Sequence, residues 1–120
     1  MKLAITSDGI DLDAIVSSRF GRAKNFIIVN IDTMDFKCVE NIQSINSVSG
    51  AGIQAAQIVA NEKVDVVITG NCGPKAFKVL ESANIKLIVN AGGSIKELIE
   101  KYKNGELKIT EMPNVKGHWI

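Results

Sequence analysis

Apolar residues fall along this chain in short blocks, and their spacing changes once, near the middle. Lys2–Ser7 (KLAITS) is β-branched and ends at Asp8-Gly9, a turn signal, which predicts a first strand. Residues 25–31 (NFIIVNI) are almost continuously apolar, as expected of a strand covered on both faces. Residues 35–42 (DFKCVENI) alternate and predict an edge strand. The short link Asp32-Thr33-Met34 joins these two strands as an antiparallel hairpin. From Gly50 the period turns helical, and residues 50–62 place Ile53, Ala56, Val59 and Ala60 on one face. A buried-type strand follows at 64–69 (VDVVIT). Gly73-Pro74 then opens a helix with the stripe Ala76, Phe77, Leu80, its proline sitting where the first turn tolerates one. Residues 85–89 (IKLIV) predict a last strand. Ser94 and Glu97 have capping-box spacing ahead of Ile95, Leu98, Ile99 and Tyr102, and Gly105 is the natural stop. Residues 106–120 show no periodicity and read as a tail.

The order is β, long loop, β-hairpin, then α-β-α-β-α. The last part gives two right-handed crossovers between parallel strands, hence a mixed sheet with helices on both faces. The whole chain, 1–120, is expected to be one α/β domain. Hydrophobic residues make up 46% of it, enough for a core without staples, and the net charge of +1 argues against a general nucleic-acid binder. No apolar run approaches the roughly 20 residues of a membrane helix. The opening residues read as a strand and not as a signal peptide. Cys38 and Cys72 lie far apart and form no Cys-x-x-Cys pair, so neither a disulfide framework nor a self-contained metal site is expected. A cytoplasmic location follows.

In open α/β sheets, ligands collect beyond the carboxyl ends of the parallel strands. Three glycine-rich turns fall there: Ser7-Asp8-Gly9, residues 69–73 (TGNCG) and residues 90–94 (NAGGS). Two of them run into helix N-termini, which favour anions, although such turns need Gly, Asn and Ser for geometry alone. The connection from Asp8 to Lys24 is unusually long, and its Ile10, Leu12, Ile15 and Val16 suggest a partial helix. It ends in Ser18-Arg19-Phe20-Gly21-Arg22, where two guanidinium forks can meet an anion while the phenylalanine anchors the loop. The other reading is a solvated arginine pair. Asp8, Asp11 and Asp13 miss calcium-loop spacing and read as a solvent face. Cys72 precedes a helix start, where the dipole favours a thiolate, but a small buried cysteine at a tight turn is the favoured reading. Cys38 reads as a core or edge residue. No nucleophile elbow, Walker loop or carboxylate pair appears. The single histidine, His118 beside Trp119, sits in the tail, where a ligand role is the less favoured reading.

Several segments together resemble the dinitrogenase iron–molybdenum cofactor biosynthesis domain family, also described as nitrogenase accessory factor-like. They are the opening MKLAITSDG, Ser18-Arg19-Phe20-Gly21-Arg22-Ala23, residues 49–56 (SGAGIQAA), residues 64–70 (VDVVITG) with Cys72-Gly73-Pro74, and Gly105-Glu106-Leu107. The likeness spans residues 2–107. It implies a three-layer α/β/α ribonuclease H-like fold with a mixed five-stranded sheet, order 3-2-1-4-5, strand 2 antiparallel. It also implies a non-catalytic carrier of an iron–sulfur or iron–molybdenum cluster precursor, with a cluster donor or acceptor protein as partner. Residues 46–49 lack the histidine that relatives often carry near this glycine-rich turn. The expected binding residues are Asp8, Arg19, Arg22, Asn71, Cys72, Gly73, Gly92 and Gly93, sharing one pocket, with Cys72 as metal ligand. Two alternatives stay open: a regulatory or scaffolding module without cofactor, and a small enzyme acting on an anionic metabolite.

Overall fold

Leu3, Ala4 and Ile5 are wholly buried because the strand that carries them is the middle of the sheet. A computed structural model describes residues 1–113, so the expectations for residues 114–120, His118 among them, lie outside the described residues. The strands are β1 (Lys2–Ser7), β2 (Asn25–Asn30), β3 (Phe36–Glu40), β4 (Val66–Ile68) and β5 (Lys86–Ile88). The helices are α1 (Ala51–Asn61), α2 (Pro74–Ser82) and α3 (Ile95–Lys103), with a 3-10 turn at Phe20–Arg22. The sheet order is β3-β2-β1-β4-β5. β2 runs antiparallel to both neighbours, with Ile5 opposite Ile27, and β4 runs parallel to β1 and β5. This is the order and the odd strand that the sequence led us to expect.

Alternation along β1 divides the core in two. Ala4 faces α1 and α2 with Phe26, Ile28 and Val67, while Leu3 and Ile5 face α3 with Ile27, Val29 and Ile68. Helices therefore cover both faces. α3 begins with a reciprocal capping box between Ser94 and Glu97 and buries Ile95, Leu98 and Ile99. α1 differs from its expected phase: Ala55 is buried together with Ala56 and Val59, whereas Ile53 is only half-buried. Its first turn faces a cavity instead of the sheet, so the large side chain there is not needed for packing.

Two expectations change. No partial helix forms over residues 10–16; Ile10 and Ile15 are exposed, and of Ile10, Leu12, Ile15 and Val16 only Val16 is buried. The regular structure of the connection from Asp8 to Lys24 consists of single bridges, Ser7 to Val16, Ile15 to Ser94 and Arg19 to Asn71, plus the 3-10 turn. The start of the expected tail is also structured. Leu107 packs beside the α3 cluster, and Thr110 bridges Leu87, with its N–H donating to the Leu87 carbonyl over 2.6 Å, which covers the outer edge of β5.

Leu98 is 1% exposed between α3 and the sheet. Leu98→Ala should lower unfolding stability by about 2–5 kcal/mol, the usual result of emptying a buried leucine site. Urea denaturation checks this; coincident midpoints for variant and wild type would contradict the packing of α3.

Candidate functional site

The residues after Asp8 do not leave the carboxyl edge of the sheet open. They lie along it as a strap. The Lys96 and Ile95 N–H groups donate to Leu12 and Ala14, and Val16 N–H donates to Gly93. The strap then crosses β1, with Ser17 N–H on the Thr6 carbonyl, and reaches β4, where Gly70 N–H donates to Ser17. The Thr6 hydroxyl, wholly buried, lies 3.0 Å from the Ser17 carbonyl oxygen and 2.8 Å from the Thr69 hydroxyl. Beyond β4, Phe20 N–H donates to Asn71, and the Asn71 amide donates back to the Ser18 carbonyl. The approach is tight. A Cβ on Gly70 would come within 2.6 Å of the Ser18 carbonyl oxygen, so only glycine fits there.

By filling the crevice, the strap separates residues expected to share it. On the α1/α2 side a cavity of about 180 Å³ is lined by Arg19, Gly21, Arg22, Asn71 and Gly73. Asp8, Gly92 and Gly93 do not line it. Asp8 is exposed at the strap's beginning, and the two glycines are exposed on the α3 side, where Gly93 holds the strap at Val16. The turn at Gly92-Gly93 is also a poor anion site for an electrostatic reason. The carboxylate of Glu97 accepts from Ser94 N–H and is held below its ordinary range by the hydrogen bonds to Ser94, so negative charge already occupies that helix start.

Cys72 does not line the cavity either. Its thiol is buried, and loss of solvation pushes its pKa up to about 12, which outweighs any help from the helix that follows. The side chain packs in the core with Phe20, Ala76 and Leu80, and its Sγ lies 3.6 Å from the Gly73 carbonyl oxygen. To ligate a metal, this thiol would have to give up both its proton and its place in the core. Among the described residues, no group of three His, Cys, Asp or Glu side chains is placed to hold a metal ion.

The sequence reading missed the far wall of the cavity. It is the first turn of α1, Gly50 to Ile53, together with Lys75 from α2. Gly21 brings the two walls together, because a Cβ there would meet the Gly52 backbone at 2.8 Å. Gln43 holds the seam: its amide donates to the Gly21 and Ala51 carbonyl oxygens at 2.9 and 3.0 Å. Phe20 anchors the 3-10 turn from beneath, its ring 5.8 Å from that of Phe26. The glycines before α1 were legible in the sequence, but nothing local told that they meet Arg19 and Arg22.

The electrostatics of this cavity are one-sided. α1 and α2 start at Gly50 and Gly73, neither with a side-chain cap nor with an acidic residue in its first turn. Arg19, Arg22 and Lys75 add positive charge, and among the described residues no acidic side chain lines the cavity. The arrangement can bind and orient a small anion of multiple charge.

The sequence matches the family described as dinitrogenase iron-molybdenum cofactor over residues 1–105. The chain belongs to that family. A curated relative, an uncharacterised protein of Methanocaldococcus jannaschii, is 34% identical over 90% of each chain. Among solved structures, the apo form of the orange protein from Desulfovibrio gigas is 36% identical and superposes with a TM-score of 0.90, covering 95% of this chain and 96% of that one. A Thermotoga protein solved by NMR is 32% identical with a TM-score of 0.77, covering 95% and 98%. The dinitrogenase iron-molybdenum cofactor family thus accounts for nearly all the described structure. Among the described residues, no helix is long and apolar enough to cross a membrane.

The two cysteines should differ in reactivity. Cys38 is exposed on β3, with its pKa raised by desolvation and by nearby Glu40, while Cys72 is enclosed. A chromogenic disulfide reagent at pH 8 should label Cys38 alone in the native protein and both thiols in denaturant. Rapid native labelling of Cys72 would contradict its burial. Alkaline stability gives a second check. The unfolded Cys72 thiol ionises near its ordinary 9.0 and the folded one near 12, so its contribution is full below pH 9 and is lost as pH rises from 9 towards 12.

Proposed function

We propose that this chain is a small non-catalytic binding protein whose cargo is an anionic metal-cluster precursor of the iron–sulfur or iron–molybdenum type. The cargo sits in the cavity between the 3-10 turn and the first turns of α1 and α2, and passes to or from a partner protein. The observation that carries this reading is the convergence of Arg19, Arg22, Lys75 and two helix starts without side-chain caps on one cavity that no acidic side chain lines, among the described residues. Membership of the dinitrogenase iron-molybdenum cofactor family supports the cluster class of cargo. Clusters bearing sulfide and thiolate are anionic, so arginines and helix N-termini suit them. With Cys72 buried and outside the cavity lining, the cavity retains its cargo by charge and shape instead of by protein thiolates. Asn71 and Gly73 hold the wall in place, the former through its bonds to the strap.

Anaerobic incubation with ferrous iron and sulfide, followed by desalting, tests the proposal. The wild-type protein should keep visible absorbance. Arg19→Ala/Arg22→Ala should retain at least tenfold less, a difference of about 1.4 kcal/mol, while its far-ultraviolet circular dichroism shows the fold retained. Equal retention by the variant would overturn the assignment to this cavity, and a colourless wild type would overturn the cluster reading.

A further inference from the structure

From Asn41, after β3, to Asn61, the end of α1, the chain carries no charged residue, and the loop between the two elements exposes three large apolar side chains, Ile42, Ile45 and Val48, at 76%, 98% and 105%. Single exposed aliphatic residues are ordinary on a protein surface; three in seven positions of one uncharged loop form a patch. The loop adjoins the cavity at both ends. Asn41 and Gln43 donate to the Gly21 carbonyl, Gln43 also to Ala51, and the loop runs directly into Gly50, which lines the cavity. Val48 is two residues from Gly50, so their Cα atoms are at most about 7.6 Å apart.

The loop is held by one side chain of α1. The Gln54 amide oxygen accepts from Ser44 N–H at 2.9 Å and its nitrogen donates to the Ser49 carbonyl at 2.9 Å. Between those two points, the backbone bonds are local to the loop itself, Ser47 N–H to Ser44 among them. Ile45 and Val48 therefore stand on a clip with its own internal bonding that leads into the cavity wall at Gly50, and the half-buried Ile53 continues the apolar side inward. One wall of the site is cationic and the other is apolar and uncharged.

We infer that residues 42–48 form an apolar flap which closes over the occupied cavity, and that the site selects anions with a poorly hydrated body over compact, strongly hydrated ones. This rests on the cavity being the binding site. The selection follows from solvation. Closing an uncharged apolar surface over a strongly hydrated oxyanion strips water from it without replacing those bonds, whereas an anion with an apolar or polarisable outer side loses little and buries Ile45 and Val48.

Two disulfonates of equal charge separate the possibilities: benzene-1,3-disulfonate, with an apolar body, and methanedisulfonate, without one. Calorimetric titration of the wild type should favour the benzene compound at least tenfold. Its addition should slow amide hydrogen exchange at residues 44–49, and methanedisulfonate should not. Ile45→Ser/Val48→Ser should lose at least fivefold in affinity for the benzene compound and keep its affinity for methanedisulfonate. Arg19→Gln/Arg22→Gln should lose both. If the flap variant binds both compounds like wild type, or exchange at 44–49 is unaffected, the flap is overturned while the cavity stands. If wild type binds neither, or the arginine variant binds both unchanged, the cavity reading falls and the flap with it.

Discussion

The backbone of Ser17 and Ser18 lies directly on the ends of β1 and β4, and the arrangement of this end of the molecule depends on that contact. Ser17 donates to Thr6 and accepts from Gly70, while Ser18 approaches so closely that residue 70 must be glycine. The strap thereby supplies partners to backbone groups that parallel strands leave open at their ends. It also delivers Arg19 and Arg22 to one side of the sheet. Without the strap, the crevice would be the usual ligand position of an open α/β sheet. With it, that position is filled by the chain itself, and the open space moves sideways, between the 3-10 turn and two helix starts.

The three helix starts at this edge then divide by charge. α3 closes its own N-terminus with Ser94 and Glu97, a local arrangement that adds stability and places a carboxylate where an anion would sit. α1 and α2 start at glycine with no side-chain cap, forgoing roughly the few tenths of a kcal/mol by which a serine or aspartate outdoes glycine there. Their exposed positive ends are directed to the same cavity as the basic side chains. That pattern, one helix capped for stability and two left open beside arginines, is what supports the proposed binding wall.

The sheet was legible because its strands are short, apolar and bounded by turn residues, and because a hairpin followed by two crossovers admits few topologies. Strand ends were overextended by up to two residues, as at β4, where Val64, Asp65 and Thr69 fall outside the ladder. The candidate site was legible in part. Arg19, Arg22, Asn71 and Gly73 line one cavity, and each announced itself through a local signal, a helix start or an arginine-flanked turn. Ile53 misled because helical periodicity records that a face is apolar, not whether it meets a sheet or a cavity. Of the two readings of Cys72, the small buried cysteine is the one the structure bears out, because its neighbours in space, Phe20 and Leu80, enclose it.

The sequence by itself therefore determined strand and helix identity and the capping box through nearest-neighbour chemistry, and the family and the order of the sheet through motifs spread along the chain. Only the tertiary structure decided which turns share a pocket. Gly21 meets Gly52 across 31 positions of chain, and Ser18 meets Gly70 across 52, contacts set by backbone approach with no side-chain pattern to mark them. The same holds for charge. Whether Asp8, Cys72, Gly92 and Gly93 join the arginines depends on where the strap lies, and the strap's path is fixed by hydrogen bonds to the ends of β1 and β4 and to the start of α3, not by its own periodicity.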